Sequence, residues 1–398
     1  ASNVDGADLV VYSTAISPSN PELMRAQELK LSTLTRAAAL SILMSESKSI
    51  AVAGTHGKTT TSSMMAVALQ ACGADPSFAI GGTITASGSN AHRGTGEIFV
   101  AEADESDGSF IEYHPFAAIV TNVEHDHVDF FATPEDVAQA FKDFAATINN
   151  DGFLTYCADD EGARALASTV KTCTLISYGI DESCDLRLDS IELEAMGSRA
   201  RAIWRGKVVG FIELQVPGHH NLLNAAAVLA TGLNLGFPAP ELLTGLSVFR
   251  GTGRRFELIG TVHGVRVIDD YGHHPTEIDV TLKAARRFAG DGRLIVIFQP
   301  HRYSRTKAFS AQFAKALDVA DRAIVLEVYA ASEKPIAGVT SRLITDAMSH
   351  GEYIPNFIEV TDSVIDSAEP QDVIITLGAG DVSSLAPIIV DGLTRRFG

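Results

Sequence analysis

Basic residues are in short supply. The 398-residue chain carries 31 Lys and Arg against 49 Asp and Glu, a formal net charge of −18 with His neutral. A protein whose main partner is nucleic acid or an anionic membrane needs a basic face, so neither partner is expected. A local basic pocket for a nucleotide is compatible with that balance. Cysteine is scarce too: Cys72, Cys157, Cys173 and Cys184 are widely spaced and form no Cys-x-x-Cys pair. That pattern signals neither a disulfide framework nor a zinc site, and each thiol reads as a small buried hydrophobe. No apolar run approaches the roughly 18 residues of a membrane helix. No basic segment leads into an apolar stretch either, so a cytoplasmic location is expected. What the chain does have is a globular composition, 46% hydrophobic and 20% charged, which excludes a disordered protein. At about 150 residues per domain, its length suggests two or three domains.

Short β-branched runs alternate with Ala- and Leu-rich stretches of helical period, the pattern of an α/β fold with parallel sheets. The clearest strands are Asp8–Tyr12, Ser49–Ala53, Ile98–Glu102, Ala118–Asn122, Val265–Asp270, Leu294–Phe298, Ala323–Leu326 and Val373–Leu377. Nearly all end in Gly, Pro, Asp or His, and ligands of open α/β sheets bind beyond the carboxyl ends of strands. The stretch from Thr172 to Val216 differs: alternating segments flank Gly206-Lys207 as in a hairpin, which predicts an antiparallel patch. A domain boundary is expected near Gly253-Arg254, where a Gly-rich segment precedes a new run of strands.

Two features carry chemistry. The strand ending at Ala53 runs into Gly54-Thr-His-Gly-Lys-Thr-Thr60 and then a helical pattern, Ser62–Cys72. Small residues let such a loop turn its N–H groups toward phosphate oxygens, and the helix N-terminus adds partial positive charge. Lys58 would reach the β- and γ-phosphates and the Thr59 hydroxyl a Mg²⁺ ion. The usual phosphate loop has Gly where this chain has Val52, so the loop is a variant opening at Gly54. The second feature is acid: Glu102, Asp104, Glu105 and Asp107 follow one strand, and Glu124, His125, Asp126, His127 and Asp129 another. Both clusters should share a rim with Lys58, and hard oxygen ligands beside a triphosphate suit Mg²⁺, with His as a further ligand. Two such ions would relieve the repulsion and offset charge on a transferring phosphoryl group.

Long stretches of the chain resemble one family. Gly54–Thr60, Glu102-Ala-Asp-Glu-Ser-Asp107 and Gly218-His-His-Asn-Leu-Leu-Asn224 are similar to motifs of the Mur ligases, the ATP-dependent amide-forming enzymes of peptidoglycan synthesis. Asp269-Asp-Tyr-Gly-His-His-Pro-Thr-Glu277 and Phe298-Gln-Pro-His-Arg-Tyr-Ser-Arg-Thr306 resemble the branch that joins L-alanine to UDP-N-acetylmuramate. The resemblance implies a remnant of a Rossmann-like UDP-sugar domain at 1–45, a central P-loop ATPase at 46–253 and a Rossmann-like domain at 254–398. The strand and Gly-rich loop with which the family opens are not found here, so only the tail of the first domain is expected.

The resemblance also implies a reaction and roles. The sugar's lactyl carboxylate takes the γ-phosphate of ATP, and alanine's amine then attacks the acyl phosphate, releasing ADP and phosphate. Gly54, Thr55, His56, Gly57, Lys58, Thr59 and Thr60 would hold the phosphates. Thr59 and Glu105 would hold one Mg²⁺, and His127, sharing Glu105, a second. His220, Asn221 and Asn224 match nucleotide contacts, although Asn221 also reads as a helix N-cap. Arg255 or its neighbour Arg254 would meet a phosphate. Asp270 and His274 would contact ATP or the incoming substrate, with His273 explained equally well by a turn at Pro275. Arg302 and Arg305 would receive the alanine carboxylate. Asn90 matches a loop near the sugar, and no lysine, Lys142 included, is assigned as a metal bridge. A monomer or homodimer is expected. The alternatives are a recycling ligase that adds a preformed tripeptide, which shares the ATP machinery, and a nucleotide-binding protein without catalysis.

Overall fold

Strands covered on both faces read as unbroken apolar runs, and the computed structural model, which describes all 398 residues, is built on two sheets of that kind. The first residues form a parallel pair, β1 (Leu9–Tyr12) and β2 (Ser32–Thr35), with helices α1 (Pro21–Glu28) and α2 (Arg36–Ser45). The central sheet comprises β3 (Lys48–Ala53), β4 (Ser77–Ile84), β5 (Ser89–His92), β6 (Ile98–Glu102), β7 (Ala117–Val120), β8 (Phe153–Cys157), β9 (Thr174–Gly179), β10 (Leu186–Leu193), β11 (Ser198–Trp204) and β12 (Lys207–Leu214). Their order is β12-β11-β10-β9-β8-β7-β3-β6-β4-β5. The C-terminal sheet comprises β13 (Glu257–Val262), β14 (Val265–Asp270), β15 (Leu294–Phe298), β16 (Arg322–Val325), β17 (Gly351–Tyr353) and β18 (Val373–Leu377), in the order β13-β14-β18-β15-β16-β17.

Alternation along each central strand feeds two cores. In β3, Ile50 and Val52 join the core under α3 (Lys58–Ala71), which also buries Met64 and Leu69. Ala51 and Ala53 face the opposite core with Phe110, Phe141 and Phe144. Phe141 and Phe144 come from α4 (Pro134–Ala146), and Phe110 stacks on Phe144 at 4.9 Å between ring centroids. The C-terminal sheet repeats the scheme: Val296 and Phe298 lie on one side of β15, Ile295 and Ile297 on the other. No helix is long and apolar enough to cross a membrane.

Three expectations are corrected. The strand expected to reach Asn122 stops at Val120, because Thr121 and Asn122 turn their side chains to the phosphate loop. The hairpin turn lies at Arg205-Gly206, with φ of 46° and 79°, and Lys207 already pairs with Trp204. Left-handed dihedrals at both central residues match the right-handed twist of the flanking strands. The antiparallel patch is also narrower than Thr172–Val216: β9 runs parallel to β8 and β10, and only β10-β11-β12 alternate in direction.

Because β3, β6 and β7 are parallel neighbours, the segments after them emerge on one rim. The segments after β14, β15 and β18 emerge likewise from the second sheet, and the two rims meet. Thr276 Oγ1 donates to Glu124 Oε2 at 2.9 Å, and Arg305 pairs with Asp126 at 2.8 Å.

Candidate active site

The phosphate loop is shaped by two glycines. Gly54 has φ of +131°, and a Cβ there would stand 2.0 Å from Thr121 Oγ1; Gly57, at φ +81°, would meet Asn224 Oδ1 at 2.8 Å. Neither position admits a side chain without rebuilding the loop. The loop is braced from β7's end, where Asn122 Oδ1 accepts the His56 N–H at 2.8 Å and Thr121 Oγ1 donates to the His56 carbonyl at 2.6 Å. Gly57 caps α3, whose first residue is Lys58. Lys58 Nζ curls back to the carbonyls of Gly54 (2.8 Å) and Thr55 (3.1 Å) and to both oxygens of Glu105 (3.0 and 2.8 Å). Burial works against the Lys58 charge, but Glu105, Asp104 and Glu102 outweigh it and raise the pKa.

The acidic rim is sorted by depth. Glu105 is only 1% exposed, beneath Lys58, and lies 3.4 Å from His127 Nε2. Asp104, Glu105 and His127 each bring a ligand atom within 4.8 Å of the others. Two hard carboxylates with an imidazole are a donor set that fits a divalent cation. The Thr59 hydroxyl is engaged elsewhere: it donates to Glu102 Oε1 at 2.9 Å. His127 is held at φ +50°, an uncommon backbone region for a non-Gly residue. Its N–H is fixed on Asp126 Oδ1 at 2.6 Å.

Two cavities flank the loop and share Gly57, Arg255 and Glu277. The first is partly apolar, with Val216, Leu223, Phe249, Phe256, Val280 and Ala284, and also takes in His56, Thr60, His220, Asn221, Asn224 and Asp270. Burial lowers the His220 pKa to about 4 and raises that of Asp270 to about 6, where Arg255 works in the opposite sense. Asn221 is not a helix N-cap. That position is Gly218, and the buried Asn221 side chain donates to the Pro217 carbonyl at 2.8 Å and accepts from Asn224 at 3.3 Å.

The second cavity is almost wholly polar. It gathers Lys58, Thr59, Glu102, Asp104, Asp126, His127, Arg254, His273, His301, Arg302 and Arg305, and Tyr271 is its one hydrophobic member. His273, rather than His274, faces this cavity. The His274 side chain accepts the Thr276 N–H at the start of α5 (Pro275–Ala289), 5% exposed, with its ring 4.7 Å from that of His56 and its Nε2 unpartnered. Burial lowers the pKa of His273 to about 3 and those of His274 and His301 to about 4, so all three are neutral at pH 7. His56 goes the other way: burial alone would lower it, but Glu124 (3.2 Å) and Glu277 (3.3 Å) hold its pKa up at about 9.

Several members of the site went unassigned in the sequence. Glu277 is the hub: it lies 3.3 Å from His56, 3.6 Å from Arg255 and 3.4 Å from His273, and accepts the N–H groups of His273 and His274. Tyr271 is another, inside a motif already quoted, whereas Glu124 and Asp126 were read only as members of the acidic rim. Arg254 is tied to Asp269 (3.1 Å) and the Gly378 carbonyl (2.7 Å), leaving Arg255 as the arginine common to both cavities. Asn90 lines a smaller pocket with Arg36 that adjoins the second cavity through Gly81, Glu102 and Asp104.

The chain matches three protein-family profiles: "Mur ligase family, catalytic domain" over residues 1–48, "Mur ligase middle domain" over 52–232, and "Mur ligase, glutamate ligase domain" over 254–380. The UDP-N-acetylmuramate–L-alanine ligase of Paenarthrobacter aurescens (strain TC1) is 49% identical over 396 residues, covering 99% of this chain and 86% of that protein. Among solved structures, the UDP-N-acetylmuramate–alanine ligase MurC of Thermotoga maritima aligns with a TM-score of 0.83 at 28% identity, over 99% of this chain and 87% of the other. A murein peptide ligase from Psychrobacter arcticus 273-4 shares the fold, with a TM-score of 0.73 at 24% identity over 99% and 87%.

Proposed function

The chain belongs to the Mur ligase family, and from that premise we propose how its residues join L-alanine to UDP-N-acetylmuramate at the expense of ATP. The observation that carries the reading is the continuity of the two cavities through Gly57, Arg255 and Glu277. A flat heteroaromatic base suits the apolar side of the first, near Asn221, Asn224 and His220, with Asp270 at its wall. A triphosphate then crosses along the Gly54–Thr60 amides, past Arg255, and ends at Lys58 in the charged cavity. N–H groups at a helix N-terminus and one lysine are what phosphate oxygens require.

A carboxylate is a poor acylating agent. In the first step a lactyl oxygen bonds to the γ-phosphorus while the bond to the ADP oxygen breaks. In the second, the alanine nitrogen bonds to the acyl carbon, inorganic phosphate leaves and the amine gives up a proton. Positioning and charge neutralisation are the protein's main contributions. Lys58 follows the transferring phosphoryl group. Asp104, Glu105 and His127, with Thr59 at the edge beside Glu102, are the residues that would hold Mg²⁺, two ions in our reading, which when bound offset phosphate charge. Arg302 and Arg305 take the alanine carboxylate. The neutral imidazoles of His273 and His301 line the same cavity without repelling the incoming ammonium, and His274 keeps the turn before α5 in place.

The domain limits proposed from the sequence, 46–253 and 254–398, suit this division of labour. A cytoplasmic location suits a nucleotide-sugar substrate. The test is ADP release measured with UDP-N-acetylmuramate and L-alanine, each omitted in turn, alongside a tripeptide acceptor. Turnover should require both substrates. Preference for the tripeptide would move the chain to the recycling branch, and ATP binding without turnover would leave a nucleotide-binding protein.

A further inference from the structure

Two aspartates from the central rim meet two arginines from the C-terminal rim, and burial separates their roles. Asp126 and Arg305 are each 3% exposed. Asp126 Oδ1 accepts from Arg305 Nε at 3.0 Å, from Arg305 Nη2 at 2.8 Å and from the His127 N–H at 2.6 Å, while Arg305 Nη1 lies 3.2 Å from His301 Nδ1. Separating that pair would leave a charge buried without a partner, which is costly. Arg302 and Asp129 are the opposite case. Their side chains are 30% and 34% exposed, and one contact, Arg302 Nη1 to Asp129 Oδ2, joins them. An ion pair that open is weak and exchanges readily. Arg302 makes no other side-chain hydrogen bond, so most of its donor fork faces the cavity unspent.

We propose that Asp129 is an internal stand-in for the substrate carboxylate: it holds Arg302 until the amino acid arrives and is then displaced, whereas Asp126 stays on Arg305 and positions it. This rests on the reading of Arg302 and Arg305 as the alanine site. An incoming carboxylate exchanges with the exposed pair, because the buried pair cannot open without stranding Asp126 beside His127. Asp129 thereby weakens the apparent affinity for the amino acid, since only the fraction of molecules with Arg302 released is competent. The two aspartates, three residues apart in the chain, therefore act on alanine in opposite senses.

The experiment is a set of KM measurements for L-alanine, ATP and UDP-N-acetylmuramate. Asp129→Asn should lower the alanine KM by about threefold to fivefold, with the other two constants within about twofold of wild type. Asp126→Asn should raise the alanine KM by at least about tenfold, with partial recovery in Asp126→Glu. An alanine KM that is unchanged or raised in Asp129→Asn overturns the proposal, as does a shift in the same direction for both Asn variants. Failure of the underlying reading looks different: ADP release independent of L-alanine, or an unchanged alanine KM in Arg302→Ala, removes the arginine site itself.

Discussion

The two cavities that share Gly57, Arg255 and Glu277 are made of opposite materials. One sets Leu223, Phe249, Val280 and Ala284 against buried amides and acids such as Asp159, Asp160 and Asp270; the other gathers lysine, arginines, acids and histidines, with Tyr271 as its one hydrophobic wall. The apolar side of the first can hold a ring by dispersion and desolvation. The second works by opposed charges placed in advance, so that little reorganisation is needed as charge shifts between carboxylate, phosphate and amine. Its internal pairs, Lys58 with Glu105 and Arg305 with Asp126, offset much of the charge gathered there. The difference says where binding energy and where catalytic energy should be lost on mutation.

The largest effect belongs to the charged side. Lys58→Ala should lower kcat by about 10²- to 10³-fold, because its charge follows the transferring phosphoryl group. The check is steady-state ADP release measured well below the thermal unfolding midpoint, which should itself fall because Glu105 is left buried without its partner. Next, Arg302→Ala should raise the alanine KM by about tenfold to a hundredfold, the range for a charge-assisted contact, and shift the ATP KM far less. Equal shifts in both would erase the proposed separation of alanine from nucleotide. On the apolar side, Leu223→Ala should raise the ATP KM by about fivefold to tenfold through lost contact area, leaving the alanine KM near wild type. A kcat defect there would break the contrast between the cavities.

The smallest effect is a pH dependence at the neck between them. The His56 pKa rises from 6.5 to about 9 in the folded chain. A raised pKa stabilises the fold fully below the unfolded value, and that contribution is lost as pH climbs through the folded value. Wild type should therefore lose part of its urea stability between pH 6.5 and 9, and His56→Gln should lose less over the same window. Parallel pH profiles for the two proteins would remove His56 as the bridge between Glu124 and Glu277.

Much of this was legible in the chain. Strands β6, β14, β15 and β18 match their expected limits, because mainly apolar runs that end in or just before acidic, Gly or Pro residues leave little choice of boundary. Lys58, Glu105 and His127 were legible as neighbours because each follows a strand of one parallel sheet. The contrast between His273 and His274 was not legible, since a turn before Pro275 decides which ring faces the cavity. Nor was the bond from Thr59 to Glu102, because neighbouring carboxylates are interchangeable in sequence and differ only in reach and depth. Glu277 carried no role of its own in the sequence, yet it gathers three partners from three segments.

The sequence alone determined the α/β class, the variant phosphate loop and the set of acids and arginines available, because backbone propensity, strand periodicity and motif spacing are local properties. Only the tertiary structure decided which acid each base meets, since Asp126 and Arg305 lie 179 residues apart and their pairing depends on how two separate sheets present their rims. Depth was decided there as well. Whether an ion pair is buried or open to water sets its strength, and burial belongs to the packed chain rather than to any residue in it.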